Sequence, residues 1–106
     1  MGLALSYFAT AAGRSPAISF LNALPSKDRA QIVADVEAYR IYMLKAPIST
    51  KAIRGHRPMF EIRTGAFRTY CVVRSQMLWV LHVGRKQDQR RDITTAADRM
   101  RIVQGG

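Results

Sequence analysis

Between Lys51 and Arg91 the chain places Lys51, Arg54, Arg57, Arg63, Arg68, Arg74, Arg85, Lys86, Arg90 and Arg91 against only Glu61 and Asp88. A guanidinium group donates from a planar fork that fits two phosphoryl oxygens at once, so arginines at this density suit a phosphate-rich ligand. The sharpest spacing is Glu61-Ile62-Arg63, then Gly65-Ala66, then Phe67-Arg68. If Gly65-Ala66 is a two-residue hairpin turn, position 63 stands opposite 68 and position 61 opposite 70, and Glu61, Arg63, Arg68 and Tyr70 share one face. Two opposed arginines repel unless an anion lies between them or Glu61 neutralises one. The pattern therefore has two readings: a clamp for a phosphate, or a surface ion pair worth about 0–1 kcal/mol beside a solvated Arg68.

Other groups carry chemistry less specifically. His82 sits in an apolar run, where imidazoles are core residues more often than catalysts, yet its ordinary pKa near 6.5 suits proton transfer. Arg85 and Lys86 follow Gly84, and Arg90 and Arg91 fall where a last helix begins. Cations there oppose the helix dipole by about 0.3–1 kcal/mol each, a conflict that a bound phosphate would reverse. The bland alternative is a soluble basic turn. Cys71, the single cysteine, reads as a core thiol, and Tyr70 and Trp79 read as core aromatics with base stacking as the alternative. Two histidines and one cysteine give no metal-ligand spacing, and neither a hydrolase triad motif nor a glycine-rich nucleotide loop is present.

These residues need elements to hold them. Leu3 to Phe8 suits a short first strand. Ser15-Pro16 starts a helix carrying Ala17, Phe20, Leu21 and Leu24, which Pro25 stops. Ser26 caps a second helix with Asp28 in its first turn and an apolar stripe at Ile32, Val36, Tyr39 and Met43, ended by Ala46-Pro47. The segment to Arg57 reads as a basic connector pivoting at Gly55, with Lys51, Arg54, His56 and Arg57 facing solvent. Met59–Thr64, Phe67–Arg74 and Met77–Val83 form an antiparallel meander, the last strand covered on both sides. The facing of His82 depends on register, since a one-residue slip flips the strand. From Asp92 a helical period returns at Ile93, Ala97, Met100 and Val103, capped by Asp88 or Asp92.

Length and composition bound the whole. The 106 residues, 48% hydrophobic, suffice for one core, so residues 1–106 read as a single domain. Seventeen Lys and Arg against seven Asp and Glu give a net charge of +10, which favours nucleic acid, an anionic membrane or an acidic protein. No apolar run is long enough to span a bilayer and no secretory leader is evident, so the cytoplasm is the expected compartment.

The helical hairpin from Ser15 to Arg29, then Phe60-Glu-Ile-Arg63, Phe67-Arg68, an apolar strand and Leu81-His-Val-Gly-Arg-Lys86, together resemble the RelE/ParE superfamily of small bacterial toxins, closest to its RelE and HigB branches. The resemblance implies an α+β domain: an N-terminal strand and helical hairpin packed on a twisted antiparallel sheet, with a short C-terminal helix. It implies the toxin of a type II toxin-antitoxin system, a ribosome-dependent mRNA endonuclease that needs no metal or other cofactor. The implied partners are a helix-turn-helix antitoxin and messenger RNA on the ribosome. In this light Arg68 takes the place of the arginine that stabilises the scissile phosphate and Lys86 that of a second cation, while on chemical grounds proton transfer falls to Lys86, His82, Glu61 or a ribosomal RNA group. Arg63, Arg85, Arg90, Arg91, Lys51 and Arg54 are the expected nucleic-acid contacts. The lysines that RelE-like members carry at two positions are here Met59 and Glu61, and Asp92 stands in place of a tyrosine. ParE-like members inhibit DNA gyrase instead, and a basic binding module without catalysis is the reading from outside the family.

Overall fold

The computed structural model describes residues 2–105. Strand β1 (Ala4–Tyr7) leads into helices α1 (Pro16–Asn22) and α2 (Ser26–Tyr42); strands β2 (Ser49–Ala52), β3 (Phe60–Thr64), β4 (Phe67–Arg74) and β5 (Met77–Arg85) follow, and helix α3 (Gln89–Gly105) comes last. The five strands form one sheet in the order β1-β5-β4-β3-β2. The architecture is the expected α+β arrangement. Its sheet is mixed, however: β2 to β5 pair antiparallel, whereas β1 runs parallel to β5 along the edge.

Local chemistry explains the boundaries. Ser15 Oγ accepts the Ile18 amide at 3.3 Å and Pro16 occupies the first helical position, so α1 starts as its sequence dictates. The β3–β4 turn has Gly65 at φ 56°, and the β4–β5 turn sets both Ser75 and Gln76 at positive φ, as tight two-residue hairpins require.

Four expectations need correction. Ser26 is the first residue of α2 and makes no side-chain cap; Pro25 stands at the N-cap position. The connector contains β2, an edge strand exposed at all four positions, so it lacks the apolar alternation that marks a strand and forms by pairing with β3. The α2 stripe stops at Tyr39, because the helix ends at Tyr42 and Met43 turns outward at φ 52°, ψ −127°. Finally, α3 is 17 residues long, since its inward face of Ala96, Ala97 and Met100 packs against the sheet with no helix breaker before Gly105.

The sheet separates two apolar clusters. On one face α1 and α2 cover Ile62, Cys71, Leu78, Val80 and Val83 with Leu21, Ile32, Val36 and Tyr39. On the other, α3 covers Met59, Tyr70, Val72 and Leu81 with Ala96, Ala97 and Met100. A β-bulge decides which residues of β5 belong to which. Pairing runs from Arg74↔Met77 to Cys71↔Val80 and then jumps to Tyr70↔His82, leaving Leu81 unpaired. Without that extra residue, strict alternation would turn His82 to the α1–α2 face; with it, His82 joins Tyr70 beneath α3. The turn after Arg74 therefore does not settle the facing of His82.

Met43 adopts a backbone region that L side chains rarely enter, at a cost of about 1–3 kcal/mol, while its side chain is only partly packed. Met43→Gly is expected to raise stability by about 1 kcal/mol, the strain relief exceeding a glycine ordering cost of about 0.5–1 kcal/mol. The measurement is the urea midpoint at constant slope, and an unchanged or lower midpoint would contradict the assigned strain.

Candidate nucleic-acid interface

The face beneath α3 carries two cross-strand rows of polar side chains. Register places Lys51, Glu61, Tyr70 and His82 opposite one another across β2, β3, β4 and β5, and beside them Ser49, Arg63, Arg68 and Gly84. Side chains on these strands point alternately up and down, so both rows face the helix.

Glu61 organises the first half of this surface. It has no exposed area, and its Oε2 accepts from Arg63 Nε at 2.6 Å and lies 3.8 Å from Arg68 Nε. Gln89 Nε2, in the first turn of α3, donates to Glu61 Oε1 at 2.5 Å. The opposed arginines are thus held together by an internal carboxylate. Among the described residues Arg63 is engaged through Nε alone, so its terminal nitrogens are left for a ligand. Beside this group opens a cleft of about 340 Å³, lined by Lys51, Arg54, Glu61, Arg63, Gln89 and Ile93, with Ala52 and Ile53 behind. Three cations from β2, the following loop and β3 meet there.

Arg68 is placed differently from the phosphate clamp expected. It is 7% exposed, its Nη1 donates to the carbonyls of Gly65 and Phe67 at 2.9 Å, and its buried Nε has no hydrogen-bond partner within the protein. It supports Glu61 from below. Tyr70 is also buried, with an unpartnered hydroxyl whose ionisation is pushed up, first by burial and then by the negative charges of Glu61 and Asp92. The phenol stays protonated and Tyr70 is not free to stack a base, whereas Trp79 packs against the α3-side core and is only half-buried.

His82 lies in the second half of the surface. Its Nδ1 is 2.9 Å from Arg99 Nη1, and its Nε2 is 3.0 Å from Asp92 Oδ1. Guanidinium nitrogens only donate, so Nδ1 must be the acceptor and Nε2–H donates to Asp92: the ring is neutral with both nitrogens occupied. Burial, the largest influence, lowers the His82 pKa; Asp92 opposes the shift and Arg99 adds to it. This imidazole is built to orient Asp92 rather than to carry a proton to a ligand. Arg99 also donates to the Leu81 carbonyl at 2.8 Å, which ties α3 to the bulge.

The remaining cations spread out. Arg85 falls on the opposite face, its guanidinium 5.7 Å from the Phe20 ring centroid and 5.3 Å from that of Phe67. The pleat turns it away from the cleft. Arg91 is paired with Asp88 at 3.5 Å and Asp92 at 3.4 Å, which removes the conflict with the helix dipole expected there. Lys86 and Arg90 are exposed at the entry to α3 and have no ion-pair partner among the described residues.

Sequence reasoning missed Gln89 and Arg99 and offered Asp88 or Asp92 as the cap; α3 begins at Gln89, directly after Asp88, whereas Asp92 lies inside the helix and is buried. Two signals were available. Asp92, Ala96 and Met100 share the helix stripe at steps of four, which turns the carboxylate inward. Gly84 interrupts an apolar strand, as glycine does where another group approaches closely. A Cβ at Gly84 would lie 2.0 Å from Asp92 Oδ2.

Gly84→Ala is therefore expected to expel Asp92 from its seat and to cost about 1–3 kcal/mol, the usual penalty of overpacking, read as a lower urea midpoint. The depressed pKa of His82 has a defined sign: its contribution to stability is held above the ordinary 6.5 and lost as pH falls below that value toward the folded one. His82→Gln should flatten this part of the profile, so the stability gap between wild type and variant narrows between about pH 8 and pH 5. A constant gap would contradict the assigned neutral state.

Residues 19–101 match the model of a family described as Phage derived protein Gp49-like (DUF891), a span that includes every residue lining the cleft. No curated protein matches the chain.

Proposed function

The chain belongs to the phage-derived Gp49-like family, and on that footing we propose that it is the toxin of a toxin-antitoxin pair, a cytoplasmic endonuclease that cuts messenger RNA on the ribosome. The RelE-like and HigB-like pattern of its residues supports this reading. The observation that carries it is the meeting of Lys51, Arg54 and Arg63 in one cleft, with Arg63 held by its Nε on a buried carboxylate. No helix among the described residues is long and apolar enough to cross a membrane.

RNA brings its own nucleophile, the 2′-hydroxyl, so a ribonuclease must align that oxygen with the adjacent phosphate and stabilise the charge that develops. In this reading Lys51 and Arg54 seat the backbone, and the terminal nitrogens of Arg63 fork onto the phosphoryl oxygens in the transition state. Fixing Arg63 beforehand lowers the cost of organising that contact when RNA arrives. Arg68 acts through Glu61, as a positioning residue, and Lys86 and Arg90 extend the cationic track at the α3 entry.

Proton transfer explains the ribosome. Arginine does not deprotonate, Glu61 is buried and already bonded, and both His82 nitrogens are engaged. Among the described residues the cleft thus offers no exposed proton acceptor, and in the proposed mechanism the ribosomal site supplies one and bends the message into line. Lys86 is the exposed ammonium best suited to meet the leaving oxygen.

Purified protein added to translating ribosomes is expected to leave discrete breaks in the message, mapped by primer extension. Intact messages with accumulating DNA breaks would instead indicate a gyrase poison and overturn the proposal. Arg63→Ala is expected to lower cleavage about 10²–10³-fold, as for loss of one preorganised charge-stabilising donor, and to lower the melting temperature as well, because Arg63 Nε bonds the buried Glu61. Arg68→Ala should also lower the melting temperature, because it strips countercharge from the same carboxylate, but should lower cleavage less than Arg63→Ala. Equal losses of cleavage in the two variants, assayed well below both melting temperatures, would contradict the separate roles.

A further inference from the structure

On the face opposite the cleft, a groove of about 530 Å³ is lined by Tyr39, Tyr42, Met43, Leu44, Lys45 and Val73. Leu44 is 86% exposed and Tyr42 58%. Apolar side chains gathered around a groove at such exposure mark an interaction surface more often than isolated ones do. The backbone turns them out: continued helix would carry Met43 inward with Ile32, Val36 and Tyr39, but the strained turn at Met43 ends α2 and sends Leu44 into solvent. Strain of this kind persists at sites of function. The sheet beside it is open as well, since β3 starts at Phe60 opposite Cys71 and Val72–Arg74 run on with no strand among the described residues paired on that side.

Charge selects the occupant. Two copies of a chain with a net charge of +10 repel each other, whereas an acidic partner is drawn in, and Lys45 supplies a cation on the groove wall. We propose that this groove docks an acidic amphipathic helix of a partner protein, its apolar side chains seated between Tyr42, Leu44 and Val73 and its carboxylates toward Lys45. The toxin reading identifies that partner as the antitoxin; the groove itself does not depend on the reading. Because α2 and α3 cover opposite faces of the sheet, the docked helix leaves the Lys51–Arg54–Arg63 cleft open.

The test uses the full chain and two designed peptides, each a single helix with leucines along one face and either glutamates or lysines along the other. Fluorescence anisotropy should show the Leu/Glu peptide binding and the Leu/Lys peptide failing to bind. Leu44→Asp should weaken the Leu/Glu peptide about tenfold or more, as at an interface hot spot, and Leu44 is too exposed for this change to unfold the chain. A saturating RNA oligonucleotide should leave the peptide bound. Unchanged affinity in Leu44→Asp, displacement of the peptide by RNA, or self-association of the chain through this face would each overturn the proposal. The nuclease reading stands or falls separately, on the ribosome assay.

Discussion

A carboxylate with no exposed surface lies at the centre of this molecule. Removing an ion from water costs several kcal/mol even after the protein relaxes, so Glu61 is tolerable only where other groups return that energy. Arg63 and Gln89 do so through short hydrogen bonds and Arg68 through its charge at 3.8 Å. These partners come from β3, β4 and α3, so satisfying one carboxylate fixes three elements relative to each other. It also allows two arginines to stand opposite each other across a hairpin, which they could not do stably alone.

A second polar anchor holds α3 further along. The bulge at Leu81 turns His82 upward, Gly84 leaves room for Asp92, and Arg99 closes the group by bonding both His82 and the bulged carbonyl. Between the two anchors lie Ala96, Ala97 and Met100 over Tyr70, Val72 and Leu81. Small alanines let the helix sit close to the sheet, and the polar contacts at its start fix where that close approach begins. Gln89 and Ile93 thereby become one wall of the cleft, opposite the cations of β2 and β3. The geometry of the basic surface follows from how α3 is docked.

The two faces of the sheet divide the work. Cations concentrate on the α3 side and around its entry, where the charge is organised by buried acids. The α1–α2 side holds the larger apolar cluster and ends in the exposed Tyr42–Leu44 turn. Arg85 shows how strictly the pleat enforces this division: one residue beyond Gly84 it faces Phe20 and Phe67 instead of the cleft.

Much of the fold was legible in the chain because its signals are local. Ser15-Pro16, the Ile32–Val36–Tyr39 stripe and the Gly65-Ala66 turn each act within a few residues, and the turn alone placed Arg63 opposite Arg68 with Glu61 as the available counterion. Ser49–Ala52 was not legible, since an exposed edge strand is defined by its neighbour and not by its own pattern. The facing of His82 depended on an extra residue in β5 that no spacing announced, and the roles of Gln89, Asp92 and Arg99 depended on where a helix distant in sequence comes to rest. The sequence by itself determined the elements, the opposed arginines and the excess of positive charge; tertiary structure alone decided which cations share a cleft, because that choice rests on burying Glu61 and Asp92 beneath α3.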